Sequence, residues 1–337
     1  MDQSTGNHKP GQCLWCRIDS PEPGGYAITI HKSGIKGFLP SSTALDIGRF
    51  VPSTFVCMDG NRALFTFAFT LGTSARVQNS SASEQENAFA VWTEAHAEPS
   101  VFRRAVDIIM PPVGSAPIIT KLNENSAKEI FSTVEETNFT GCIKIYCQNR
   151  LSRSAIIFLN GRAVGTIYTT KAQSDATSLA VGIKQMLEDI STPDVDANME
   201  MYELPQGIVL SMSSLFLGYV DHPQTQNNNL AYAEKMLAHF SASKGTACFN
   251  VLNPKTDSPF ALGFIAEGKF RGSYTVDQKW FAEEDGFLLN LLLSQTYLKI
   301  QTHILPSAMT TGAVRFGYSL SSGQFGQLPQ SAEDGLV

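Results

Sequence analysis

The residues whose spacing could most directly support chemistry are two cysteines near the start of the chain. Cys13-Leu14-Trp15-Cys16 has the spacing of a redox pair or of half a zinc site. A redox pair works where a strand meets a helix, because the helix dipole lowers the thiol pKa, but this run has the composition of a strand interior. A zinc site needs a second Cys or His pair, and none follows at a useful spacing. We therefore interpret the spacing as coincidental, with the two thiols on opposite faces of a strand.

Other side chains that could support catalysis are dispersed. The six histidines share no metal-ligand spacing, and the sequence contains no phosphate-binding glycine loop, dinucleotide-binding turn or nucleophile elbow. The acidic run Glu283-Glu284-Asp285 is interpreted as a helix start, where negative charge is favourable. We therefore predict no catalytic residue, no metal, no cofactor and no enzymatic activity. An enzyme whose site assembles from distant residues is an alternative that motifs cannot exclude.

Composition sets the broad class of the protein. The chain has 337 residues, 43% of them hydrophobic and 17% charged, which is enough for two or three globular domains. Its formal net charge of −6 means that any attraction to nucleic acid must come from a local basic patch. The chain opens without the apolar core of a signal peptide, and no uninterrupted apolar run reaches the length of a membrane span. We therefore expect a cytoplasmic protein with reduced cysteines and no membrane contact.

Residues 9–72 are predicted to form the first domain, a five-stranded β-barrel. Five short β-rich runs are separated by turn residues, including Pro21–Gly25 and Asp59–Asn61. Five such strands close into a barrel that leaves few exposed edges. The predicted strands are Cys13–Ile18, Tyr26–His31, Lys36–Leu39, Phe50–Met58 and Arg62–Phe69.

The same segment resembles the S1 RNA-binding domain, which is an OB-fold module. The resemblance covers roughly residues 10 to 70, and several motifs occur in the family's order. These motifs are Gly24-Gly25-Tyr26-Ala27, Gly37-Phe38-Leu39-Pro40, Ile47-Gly48 and Arg62-Ala63-Leu64.

The resemblance implies weak binding of single-stranded RNA. It makes Tyr26 and Phe38 the base-stacking aromatics and Arg62 a backbone contact, with Lys36 nearby. A base stacked on an aromatic ring contributes roughly 1–3 kcal/mol. Basic side chains only modestly outnumber acidic ones in this segment, and this balance predicts weak affinity. The alternative is that both rings belong to the barrel core.

Residues 73–120 are predicted to be a linker that carries one short helix. The run 78–83 is polar and lacks aromatic residues. Phe89, Trp92 and Ala95 recur every three residues, which predicts an amphipathic helix docked on another part of the protein. Arg103-Arg104 is interpreted as a solvated helix face rather than as part of a cyclic-dinucleotide site.

An internal duplication is predicted over residues 121–222 and 223–308. Each half has the order helix, strand, hairpin, helix and strand, which gives a two-layer α+β unit. The hairpins Asn160-Gly161-Arg162 and Glu267-Gly268-Lys269 match most closely, because each is followed by a glycine at the same spacing. Residues 309–337 are predicted to be a mostly disordered tail, apart from an edge strand within 313–320.

The first half also resembles, weakly, a domain of PatA-like bacterial signalling proteins over residues 126–205. The shared motifs are Thr140-Gly141-Cys142-Ile143 and the hairpin Phe158–Arg162. The resemblance implies regulation through protein contacts rather than catalysis. Arg162 and Lys269 lie at equivalent hairpin tips, and we interpret their side chains as solvated. The alternative is that the two side chains form a pair of contacts to a ligand.

The sequence as a whole predicts an α+β multidomain, non-enzymatic bacterial protein. Its OB-like barrel is expected to bind single-stranded RNA through Tyr26, Lys36, Phe38 and Arg62. Residues 121–308 are expected to bind a protein partner, and a homo-oligomer is one form that this contact could take. The alternative is a regulatory or signalling scaffold with no role in nucleic-acid binding, which the acidic total charge favours.

Overall fold

The computed structural model describes residues 8–67, 88–89, 91–93, 111–170, 179–192, 194–223, 228–310, 317–321 and 323–325. The predictions for the polar run 78–83, for Ala95, for Arg103-Arg104 and for most of the tail lie outside these residues. Within them, no helix is both long enough and apolar enough to span a membrane.

Eighteen strands and six helices are used below, numbered in chain order within the described residues. The strands are β1 (Cys13–Glu22), β2 (Gly25–Ile30), β3 (Lys36–Pro40), β4 (Phe50–Asp59), β5 (Arg62–Phe67), β6 (Ile118–Leu122), β7 (Gly141–Cys147), β8 (Ser152–Leu159), β9 (Arg162–Thr170), β10 (Ala197–Glu203), β11 (Tyr219–Asp221), β12 (Thr246–Asn253), β13 (Ser258–Ala266), β14 (Lys269–Thr275), β15 (Trp280–Ala282), β16 (Lys299–Leu305), β17 (Tyr318–Ser319) and β18 (Gln324–Phe325). The helices are α1 (Glu124–Glu136), α2 (Leu179–Ile190), α3 (Gln206–Leu217), α4 (Asn229–Ser243), α5 (Asp285–Ser294) and α6 (Ser307–Thr310).

The first five strands close into a barrel in the order β1-β2-β3-β5-β4. Closure is completed by β4, which pairs antiparallel with β1, and by β3, which runs parallel to β5. Apolar residues at alternate positions, such as Cys16 and Ile18 on β1 and Ile28 and Ile30 on β2, fill the interior. The structure thus confirms a closed five-stranded barrel, which is consistent with an OB-like fold.

The rest of the described chain is built on two antiparallel sheets. The first has the order β18-β17-β9-β8-β7-β10-β6, and the second has the order β11-β16-β12-β13-β14-β15. Each sheet therefore contains a three-stranded meander, with a later strand beside the first strand of that meander. The predicted helix at Glu283–Asp285 is present, since α5 begins at Asp285.

The two hairpin turns are alike in detail. Both turn residues have positive φ in each hairpin, at 49° and 76° for Asn160 and Gly161 and at 54° and 74° for Glu267 and Gly268. A Cβ on Gly161 would lie 3.0 Å from backbone atoms of Glu135, and a Cβ on Gly268 would lie 2.8 Å from the carbonyl oxygen of Phe240. Each turn therefore lies against the end of the helix that comes directly before the meander, α1 or α4.

The side chains that follow these turns differ in their surroundings. Arg162 is buried, whereas Lys269 is exposed. The interpretation of both as solvated side chains at equivalent tips is therefore wrong for Arg162. A Cβ on Gly317 would lie 2.4 Å from the Cβ of Arg162, so the C-terminal segment covers this arginine.

Helix α3 is buried between the two sheets. It packs against β8 and β9 on one side and against β12, β13 and β16 on the other. Its hydroxyl groups are satisfied internally, because Ser211 Oγ donates to the carbonyl oxygen of Ala247 at 2.6 Å and accepts from the N–H of Ile265 at 3.2 Å. The two sheets therefore share one core through this helix.

The short helix predicted around Phe89 and Trp92 docks on the end of α3. Residues 88–89 and 91–93 are helical, and both aromatic side chains are fully buried. The indole Nε1 of Trp92 donates to the carbonyl oxygen of Leu217 at 2.7 Å. The described residues of this segment are thus helical and held against α3 by a hydrogen bond.

A buried carboxylate holds the C-terminal segment against the first sheet. Glu135, in the last turn of α1, accepts from Ser319 Oγ at 2.9 Å and from the backbone N–H of Leu320 at 2.7 Å. It also accepts from the N–H and the hydroxyl of Ser321. Four donors therefore converge on one carboxyl group, which compensates the cost of burying it.

We expect Glu135→Gln to release the C-terminal segment. The glutamine side chain would present an NH₂ group to N–H and O–H donors, which leaves some of them unpaired at a cost of roughly 1–3 kcal/mol each. Hydrogen exchange measured by mass spectrometry should show faster exchange at residues 317–321. Glu136→Gln, at the exposed neighbouring position, is the control, and equal exchange in the two variants would contradict the role of Glu135.

Candidate nucleic-acid interface

Phe38 lies on the outer surface of the barrel, but another part of the protein covers it. Its neighbour Leu39 points into the barrel core, so Phe38 points outward. The ring of Tyr219, at the start of β11, lies 5.1 Å from the ring of Phe38, which is only 7% exposed. A base could stack on Phe38 only by displacing Tyr219.

Arg62 lies beside Phe38 and is engaged within the protein. Its guanidinium sits 4.8 Å from the centre of the Phe38 ring, a cation–π arrangement. The same group donates to the Glu22 carboxylate at 2.7 Å. A phosphate would have to compete with Glu22 for this arginine.

Tyr26 belongs to the inward-facing side of β2, together with Ile28 and Ile30. Its ring is half-buried and packs against the barrel core. Its hydroxyl accepts from the backbone N–H of Leu45 at 2.9 Å. Tyr26 thus closes one end of the barrel, and its ring presents only part of its surface to solvent.

Lys36 is the most accessible of the four predicted contacts. Its ammonium group donates to Thr29 Oγ1 at 2.8 Å and to Asp19 Oδ2 at 3.2 Å. Burial acts to raise the pKa of Asp19, but hydrogen bonds from Thr29, Lys36 and Arg17 outweigh it and hold that pKa below its usual value. Lys36 and Arg17 therefore share one ionised carboxylate at neutral pH.

The four predicted residues do not form a single open surface. Phe38 and Arg62 meet at the boundary with the α+β part, Tyr26 closes a barrel end, and Lys36 faces solvent. The roles that the S1 resemblance gives them stay predictions.

Sequence reasoning missed the residues that dock the barrel on the rest of the protein. Tyr219 packs on Phe38, and Asp221 accepts from the backbone N–H of Gly24 at 2.8 Å. The other oxygen of Asp221 accepts from the hydroxyl of Tyr232 at 2.8 Å. No local motif marks this short strand, because its partners lie about two hundred residues earlier in the chain.

A cleft of about 230 Å³ lies at this boundary, between the barrel and the second sheet. It is smaller than the usual 300–1,000 Å³ of small-molecule sites. Two of its acidic residues are already engaged, since Glu22 pairs with Arg62 and Asp59 accepts from the hydroxyl of Ser307. The described part of the cleft offers no unpaired acid and base that could act together.

The two closely spaced cysteines face opposite sides of β1, as predicted. Cys13 is exposed, whereas Cys16 lies in the barrel core, where burial raises its pKa to about 12. No group of three or more His, Cys, Asp or Glu residues in the described segments is arranged to hold a metal ion.

No family model and no curated protein matches this chain. Among solved structures, it is similar to Naegleria gruberi RNA ligase with PPi, at 10% sequence identity over 94% of this chain and 91% of that chain. The TM-score is 0.11, which is too low to carry an argument about fold or activity.

We expect one fast-reacting thiol in the native protein. Of the six cysteines, Cys13 is exposed and the other five are buried. Ellman's reagent should therefore titrate one thiol rapidly in the native state and all six in guanidinium chloride. Cys13→Ser should abolish the rapid phase, and Cys16→Ser should leave it intact. Rapid reaction of a second thiol would contradict the placement of Cys16.

Proposed function

We propose that this chain is a non-enzymatic bacterial protein that binds single-stranded RNA weakly through its barrel. Its α+β part, in this proposal, is a duplicated module that contacts a protein partner in the cytoplasm. Both parts of the proposal extend the resemblances found in the sequence.

The distribution of charge carries the RNA-binding proposal. Residues 8–67 contain six Lys or Arg and four Asp or Glu, a net charge of +2, although the whole chain carries −6. The remainder of the chain is therefore strongly acidic and repels phosphate. Because neutralisation of phosphates supplies most non-specific affinity, the barrel is where a nucleic acid would bind, and the small excess of charge implies weak binding.

The topology of the two sheets supports the proposed duplication. The order β9-β8-β7-β10 in the first sheet corresponds to β14-β13-β12-β16 in the second. In each unit a threonine hydroxyl accepts from the first turn residue of the hairpin, Thr140 from Asn160 at 3.0 Å and Thr246 from Glu267 at 3.2 Å. In each unit a Leu-Pro pair at the end of the last strand, or directly after it, leads into a helix, α3 or α6.

Lys36→Ala should weaken the binding of a labelled oligouridine of about 15 nucleotides, a length matched to one OB fold. Loss of one phosphate contact should reduce the affinity severalfold at low salt and lower the slope of log affinity against log salt by about 0.7. Fluorescence anisotropy of the labelled RNA measures both quantities.

Lys128→Ala is the matched control. The Lys36 and Lys128 side chains are 68% and 71% exposed, and each pairs with one carboxylate, Asp19 and Glu124 respectively. Lys128 lies on α1, outside the barrel, so its loss should leave the affinity unchanged. Equal effects of the two substitutions would show that binding follows overall charge, and absence of binding by the unmodified protein would refute the proposed function.

One observation favours the alternative of a protein-binding scaffold. Strand β6 forms an edge of the first sheet, and its residues Ile118 and Ile119 are 62% and 69% exposed. An edge strand with exposed apolar side chains is suited to pairing with a strand of another chain. A second copy of this protein is the simplest such partner.

Under this alternative, the protein should dimerise as its concentration rises, and Ile119→Lys should keep it monomeric. A charge on the edge strand opposes strand pairing. Size-exclusion chromatography with light scattering measures the mass. Leu293→Lys, at an exposed leucine on α5, is the control. A monomer at all concentrations would contradict self-association through β6.

A further inference from the structure

The outer surface of the barrel has a docked side and an open side. On the docked side, Phe38 of β3 and Leu64 of β5 are buried in the core shared with the α+β part. On the open side, formed by the start of β4, by β1 and by β2, large side chains point into solvent. Two of the four residues that the S1 resemblance assigns to RNA, Phe38 and Arg62, lie on the docked side.

Three residues with aromatic rings, Trp15, His31 and Phe50, lie on the open side. In the strand register, Trp15 of β1 lies opposite Pro52 of β4, and the next outward position, Arg17, lies opposite Phe50. The backbone N–H of His31 donates to the carbonyl oxygen of Trp15 at 2.8 Å, which places these two residues side by side. The rings of His31 and Phe50 are in edge contact, with centres 5.1 Å apart.

These rings offer unusually accessible apolar surface. Trp15 is 58% exposed and Phe50 is 44% exposed. They cannot be barrel core, because Cys16 and Val51, their neighbours in sequence, point inward. Part of the surface of each of these two rings is therefore accessible to a planar group from solvent.

Cationic residues lie close to these rings in the sequence or in the strand register. Arg17 lies two residues after Trp15 on β1 and opposite Phe50 on β4, and Arg49 precedes Phe50. Lys32 follows His31, and Lys36 lies opposite Thr29 on the neighbouring strand. The acids on this side are Asp19 and Asp46, so four basic side chains face two acidic ones.

We propose that the open side, made of Trp15, His31 and Phe50 with Arg17, Lys32 and Arg49, is the stacking surface for single-stranded nucleic acid. This inference rests on the proposed function and relocates its site. Bases stack on Trp15 and Phe50, while the backbone phosphates contact the flanking cations. The presence of both rings and cations favours a nucleic acid over an apolar peptide, because an apolar peptide carries no negative charge to pair with the cations.

The test uses the full chain and a labelled oligouridine or oligothymidine of about 15 nucleotides. Trp15→Ala should weaken binding roughly fivefold or more, and Trp15→Phe should restore most of the affinity because a planar ring remains. Trp280→Ala is the control, since Trp280 is an exposed tryptophan on the α+β part. Comparison of the affinities for the RNA and DNA probes shows whether the sugar contributes to binding.

Tryptophan fluorescence distinguishes stacking of a base on Trp15 from a purely structural role of Trp15, because only stacking would change the emission when nucleic acid is added. The three tryptophans are Trp15, Trp92 and Trp280, and Trp92 is buried. In a Trp280→Phe variant, stacking of a base on Trp15 should quench the solvent-exposed part of the emission. The quenching should saturate at the concentration at which anisotropy saturates.

The outcomes separate the two proposals. If the unmodified protein binds neither probe, the proposed function and this surface both fail. If it binds but Trp15→Ala binds equally well and the Trp15 emission does not change, the surface is wrong while the function stands. Loss of binding on Trp15→Ala, with rescue by Trp15→Phe and no effect of Trp280→Ala, supports the surface.

Discussion

The burial of α3 between two sheets is the constraint on which the rest of the α+β structure depends. A helix covered on both sides must be apolar around most of its circumference, and its remaining polar groups must find partners inside. Ser211, Ser213 and Ser214 satisfy this requirement through hydrogen bonds to nearby carbonyl groups. Because α3 leads directly into β11, the same helix also fixes where Tyr219 and Asp221 stand, and with them the position of the barrel.

Docking of the barrel changes what its surface can do. An isolated barrel of this kind could use its whole outer surface, but here Tyr219 of the α+β part covers Phe38. The acidic α+β part borders the same side. The opposite side keeps exposed rings and an excess of positive charge. Contacts far from a binding surface can thus select which face of a common fold remains available for a ligand.

The sequence was sufficient to predict the elements whose signals are local. The five barrel strands begin and end within a few residues of the predicted bounds, because alternation and turn residues define them. The hairpins at Gly161 and Gly268 were predicted from glycines that the turns require. Helix α3 was missed, because a helix that is apolar on nearly all sides gives no periodic pattern.

The candidate site was less predictable than the strands and turns, because the exposure of its residues depends on contacts with distant parts of the chain. Alternation on β1 already indicates that Trp15 and Arg17 point away from Cys16 and Ile18. Whether an outward residue meets solvent, however, depends on which part of the protein docks there. Phe38 and Trp15 both point out of the barrel, and the difference between them is made by Tyr219, which is distant in sequence from both.

The hydrogen bonds that Glu135 accepts from the C-terminal segment also have a consequence for biosynthesis. Its hydroxyl donor Ser319 lies 184 residues further along the chain, so a ribosome that has made strands β6 to β10 has not yet made the group that this carboxylate needs. Domains generally fold as they emerge, from the N-terminus onward. The carboxylate of Glu135 can therefore gain these hydrogen bonds only after residues 319–321 have been synthesised, and water must solvate it until then.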